Sequence, residues 1–207
     1  MAHEITPFEL SLVHELDDDY IRMTNGWFFK WYNINSTNRI VDVEDFFGGH
    51  FHVGGIVFQG QIQELYWRSV GKHLLDRVHA GFQRWETECA TYPPHLKRCA
   101  LDALDNALKR YIAQIMQKGV ETDRALRGIG DPHSVPEYNS TGQHSRANVE
   151  ILRLKQAHEA LLPPVGSEPP KVSVIKQIEE HFTKWRGVYA GIGLLIGALG
   201  VAAKFHF

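Results

Sequence analysis

The chain has 207 residues, 43% hydrophobic and 22% charged, with a formal net charge of -2; this suffices for one domain with its own core plus appendages, not for two large domains. Its bases alternate with acids along helical segments instead of gathering into a basic patch interleaved with aromatics, so a nucleic acid is excluded as the expected partner. It contains no phosphate-binding loop, serine-nucleophile elbow or paired-cysteine zinc motif, and no cofactor is expected.

Residues 1–20 carry Glu4, Glu9, Glu15, Asp17, Asp18 and Asp19 without a Lys or Arg, whereas Trp67 to Arg127 is mildly basic. The opening segment has neither the basic-then-apolar order of a signal peptide nor the Arg-rich, acid-poor character of a transit peptide. Targeting is therefore expected from internal or C-terminal residues. Residues 1–60 form an acidic and then aromatic, glycine-rich region. Trp27, Phe28, Phe29, Trp31 and Tyr32 cluster, and Phe46, Phe47, Phe51 and Phe58 lie among five glycines. Short strands are predicted at 39–43 and 50–58, with ordered loop the alternative. The aromatics are expected to complete a helical core, and an exposed patch is the second reading. His50 and His52 alternate as ligands on one strand face do, with Asp42, Glu44 and Asp45 shortly before them, the chemistry of a metal site. No further ligand spacing supports a metal there, and twelve histidines produce such pairs by chance.

From Gln61 to about Thr91, Ile62, Tyr66, Leu74, Val78, Phe82 and Trp85 recur at helical intervals. Pro93 and Pro94 stop that helix. A second, over about 94–126, shows Leu101, Leu104, Leu108, Tyr111 and Ile115 in steps of three and four. So short a connection predicts an antiparallel hairpin over 61–128. Asp76 and His79, one turn apart, have the spacing of an acid/base pair, although surface hydrogen bonding is the usual meaning.

Cys89 and Cys99 straddle the proline turn and are the only cysteines. Their spacing resembles one half of the twin cysteine pairs in small helical-hairpin proteins of the mitochondrial intermembrane space, and that resemblance implies a disulfide. In that family each of two pairs is borne along one helix; here a single pair is split by prolines. Ordinary free thiols are the expectation, given the geometry a bridge demands.

An irregular connector follows at 129–144, then a helix at 145–162, a proline-rich linker at 163–171 and an amphipathic lead-in helix at 172–186. Residues 187–203 contain no charge and as a helix span roughly 25 Å, short for a bilayer core of about 30 Å. Lys184, Trp185 and Arg186 before it, and Lys204, Phe205 and Phe207 in the tail 204–207, suit the two interfaces. Gly187, Ala190, Gly191, Gly193, Gly197, Ala198, Gly200 and Ala202 fall on one side of that helix, and Val188, Tyr189, Ile192, Leu195, Ile196 and Leu199 on the other. Small residues let a second helix approach closely in lipid. The glycines of 191–197 superficially fit a dinucleotide fingerprint, but they follow a basic helix, not a strand, and no acidic residue lies downstream.

The sequence thus predicts a mainly α protein: an antiparallel helical hairpin, additional helices and one C-terminal transmembrane helix. The expected role is a non-catalytic accessory or assembly subunit of a larger membrane complex, contacting lipid and other subunits through 187–203. A respiratory or ATP synthase complex of the mitochondrial inner membrane is the first setting considered. A self-associating lysis or pore-forming protein is the alternative, and an enzyme with a site invisible in one sequence is third.

Overall fold

Thr6 opens the first helix, α1 (Pro7–Arg22): its hydroxyl accepts from the Glu9 amide at 3.2 Å, and Pro7 occupies a first-turn position where no amide is needed. Glu9 near its start and Arg22 in its last turn suit the helix dipole. Phe8, Leu12, Leu16 and Met23 are buried along one stripe. A π-helical turn at Met23–Phe28 then advances the stripe by five residues, from Met23 to Phe28, before the short α2 (Phe29–Tyr32) buries Trp31. The computed structural model describes residues 5–32, 34, 41–44, 49–53, 58, 60–128 and 136–164. Strands β1 (Val41–Glu44) and β2 (His50–Val53) pair antiparallel.

Gly60 turns the chain into α3 (Gln61–Glu88) at φ +54°, a value side chains disfavour. The helix ends at Cys89, and Pro94 begins α4 (Pro94–Gly128). The predicted stripes meet in the core: Tyr66, Leu74, Val78, Phe82 and Trp85 face Leu101, Leu104, Leu108, Tyr111 and Ile115, all buried, while Ile62 at the start of the first stripe is only partly buried. Contacts run from one end of the pair to the other in antiparallel order. The Trp85 indole donates to the Lys97 carbonyl at 3.2 Å next to the turn, and the Tyr66 hydroxyl to the Gly119 carbonyl at 2.9 Å far from it. The helices meet closely where side chains are missing: a Cβ on Gly81 would stand 3.0 Å from Leu104 Cδ1, and one on Gly119 3.1 Å from Trp67 Cη2.

The last described helix, α5 (Thr141–Leu161), starts four residues earlier than its pattern suggested and lays Ala147, Ile151 and His158 against the hairpin. His158 stacks on Phe82 at 5.5 Å. Of the N-terminal aromatics, Phe28, Trp31 and Phe58 are buried in the core and Trp27 packs against it, while Phe46 and Phe47 lie outside the described residues. Tyr66 is ringed by Trp27, Trp31, Phe58 and Trp67 at centroid distances of 5.0–5.6 Å; Phe29 stands exposed. Residues 1–60 and the hairpin therefore belong to one compact unit, Met1–Leu162, and Pro163–Phe207 forms a second. The lead-in helix 172–186 and the span 187–203 lie outside the described residues, as does the proline-rich linker beyond Pro164. Among the described residues no helix is long and apolar enough to cross a membrane.

Candidate functional site

Three buried carboxylates tie the helices together. Asp19 sits in phase with the apolar stripe of α1 and is 3% exposed. Its Oδ2 accepts from the Tyr111 hydroxyl and lies 3.1 Å from both His73 Nε2 and Arg77 Nε, while Oδ1 meets Arg22. One carboxylate thus joins α1, α3 and α4. Burial alone would raise its pKa, but hydrogen bonds from His73 and Tyr111, with the His73 and Arg77 charges, hold it well below the usual carboxylate range. Tyr111 moves the other way: burial first, then the bond to Asp19 and its charge, push the phenol far above its ordinary value. Asp123 does the same work at the far end of the hairpin, accepting from Gln63 at 2.9 Å, Trp67 at 3.3 Å and Arg127 at 2.8 Å. Asp105 on α4 takes Lys109 at 2.6 Å and Lys155 of α5 at 3.0 Å. Burial opposes its ionisation, and the two lysines outweigh burial and lower its pKa.

A groove of about 330 Å³ opens between α3 and α5. Arg68, Lys72 and Leu75 line it from α3, and Gln143 and Arg146 from α5. Gly71 makes it narrow, since a Cβ there would stand 2.9 Å from Gln143 Cγ. Gln143 is in turn fixed by Tyr138, whose hydroxyl accepts from Gln143 Nε2 at 2.9 Å and whose ring stacks on Trp67 at 5.6 Å. Asp76 and His79 also line the groove. Asp76 pairs with Lys72 at 2.5 Å and His79 with Glu150 of α5 at 2.8 Å. The hydrogen bonds from Arg153, and then from His79, lower the Glu150 carboxyl to about 2. Asp76 and His79 therefore spend their polar atoms on different partners instead of on each other.

No family model, curated protein or solved structure matches the chain. Function has to be argued from its own residues.

The residues singled out in the sequence are scattered. Cys89 and Cys99 are free thiols, the first buried at the end of α3 and the second half-buried on α4. Burial, with the Glu88 charge, pushes the Cys89 thiol up to about 11, which keeps it protonated and unreactive near neutral pH. The hairpin register sets His50 across from Glu44 and His52 across from Asp42. Among the described residues no group of three or more His, Cys, Asp or Glu could hold a metal ion. The small-residue face from Gly187 to Ala202 lies outside the described residues. Sequence reasoning missed both Asp19 and the groove. Asp19 was signalled by its helical phase with Phe8, Leu12 and Leu16 behind the Thr6/Glu9 cap; the groove depends on which face of α5 meets α3, and no local pattern encodes that.

Proposed function

We propose that this protein is a non-catalytic, membrane-tethered accessory or assembly subunit of a larger membrane complex. Its helical unit is the working body, and 187–203 is both the anchor and the docking helix. The observation that carries this reading is the uncharged run at 187–203, with glycine and alanine segregated from the bulky residues around the helix. The interior of Met1–Leu162 supports it. Asp19, Asp105 and Asp123 are each occupied by partners from other helices or from their own next turn, an arrangement that fixes helix positions. The span is marginal for crossing lipid alone, which favours a neighbouring helix on its small face.

Solubilisation in mild detergent followed by affinity isolation tests the reading. Other subunits should co-purify in fixed proportion; recovery as a lone monomer contradicts it. Recovery as a homo-oligomer that Gly193→Leu with Gly197→Leu dissolves selects the self-associating alternative, in which the same face packs against its own copy. A respiratory or ATP synthase complex of the mitochondrial inner membrane is the setting we propose to test first, by asking whether the chain sediments with that membrane.

A further inference from the structure

We propose that the groove between α3 and α5 binds the phosphate headgroup of an anionic lipid, with Arg68, Lys72 and Arg146 as its cationic rim. The proposal rests on the membrane-tethered reading and adds a ligand to it.

Size and charge both point to a phosphate. A volume of about 330 Å³ suits a small headgroup. Three cations line it against one carboxylate, Asp76, which pairs with Lys72 at 2.5 Å and leaves the two exposed arginines in excess. The nearest acid beyond the lining on α5, Glu150, is held by His79 and Arg153. Arg68 has only the exposed Glu64 at 3.9 Å, a loose pair, and Arg146 has no ion pair among the described residues. The positive end of a helix adds to them. The first turn of α5 enters the groove through Gln143 and carries no acidic residue, while the Thr141 amide donates to Asn139 Oδ1 at 3.1 Å, so the helix end contributes its dipole and not an open set of amides.

The surroundings favour a lipid over a free phosphate. Val149 and Leu152 of α5 are 64% and 54% exposed, large for aliphatic side chains. Arg146, Val149 and Arg153 fall within roughly 60° of one another around the helix, so apolar and basic groups share an exposed face of α5 that adjoins the groove at Arg146. That mixture suits the headgroup boundary of a bilayer, where aliphatic side chains enter the acyl region and arginines meet phosphate. A soluble phosphate has no use for the aliphatic part. The helix that bears it also precedes, in sequence, the linker and the proposed span.

The test uses the full chain in nonionic detergent, titrated with dihexanoyl phosphatidic acid while its thermal midpoint is followed. The phosphatidic acid should raise the midpoint saturably, because a ligand that binds only the folded chain stabilises it. Dihexanoyl phosphatidylcholine should do so far less, and inorganic phosphate at equal concentration should do little. Arg68→Gln/Lys72→Gln/Arg146→Gln should weaken the phosphatidic acid affinity at least about tenfold, the loss expected on removing charge-assisted hydrogen bonds. The single exposed Arg146→Gln, which disturbs no described ion pair, should weaken it in the same direction if the triple variant folds poorly. Unchanged affinity in both variants overturns the proposal. So does an equal response to inorganic phosphate or to phosphatidylcholine, or saturation by a phosphoserine peptide without response to lipid. Carbonate-resistant membrane association of the same variants should persist, because it reports the tether and not the groove; its loss from the unsubstituted chain would sink the tethered reading while leaving the detergent titration to speak for the groove.

Discussion

Asp19 shows how much a single buried charge can decide. Asp19→Ala leaves His73 and Arg77 facing an apolar gap and should destabilise the unit by about 3–5 kcal/mol in urea titrations. Asp18→Ala, one residue away on the exposed side, should stay within about 0.5 kcal/mol. The pH dependence follows from the direction of each shift. The Asp19 pKa is depressed in the folded chain, so its contribution is complete above the unfolded carboxylate value, about 3.9, and drains away as pH falls toward the folded one. The Tyr111 pKa is raised, so its contribution is complete below about pH 10 and is lost as pH climbs above it. Thermal melts across pH should therefore show an acid limb that Asp19→Ala flattens. In the sequence Asp19 reads as one more member of an acidic run with Asp17 and Asp18. Only the helical phase of α1 separates the buried carboxylate from its exposed neighbours. The cysteines allow a simpler check: the intact non-reduced mass should equal the reduced mass, and Cys89 should resist alkylation at neutral pH until the chain is unfolded. A mass lower by two hydrogens would establish the bridge instead.

Among the elements, the α3/α4 hairpin was the most legible, because long apolar stripes at helical spacing and a proline-marked turn are local signals. Every residue of the α4 stripe named from spacing is buried. Leu104, fully buried against the Gly81 gap, should cost about 2–5 kcal/mol when cut to Ala. Leu152→Ala, on the exposed side of α5, should leave folding stability nearly unchanged. Gly119→Leu tests the close approach from the other side. Its side chain competes with the buried Trp67 ring, so overpacking of about 1–3 kcal/mol should exceed the helix-propensity gain of roughly 1 kcal/mol. The short N-terminal elements were harder to read. The π-helical turn shifts the phase of the buried stripe between α1 and α2, which breaks the period a sequence scan relies on, and α1 was masked by its many acids. The start of α5 at Thr141 was hidden by the turn-forming residues around it.

At the scale of the whole molecule, composition and the uncharged tail segment suggested a helical body joined to a membrane helix. The body is mainly helical, and its buried Asp19, Asp105 and Asp123 hold helices in register. The groove exists only where α3 and α5 lie side by side, because Arg146 is more than seventy residues from Arg68 and Lys72 in sequence. If 187–203 anchors the chain, a charge in its middle should be costly: Leu195→Arg introduces roughly 2.5–3.5 kcal/mol at a helix centre on insertion scales. The most direct measurement is alkaline-carbonate extraction of membranes from cells expressing the full chain and Leu195→Arg. The account predicts that the unsubstituted chain stays in the membrane pellet at high pH, where peripheral contacts through the groove are stripped, and that Leu195→Arg shifts it toward the supernatant. Release of the unsubstituted chain into the supernatant would contradict it.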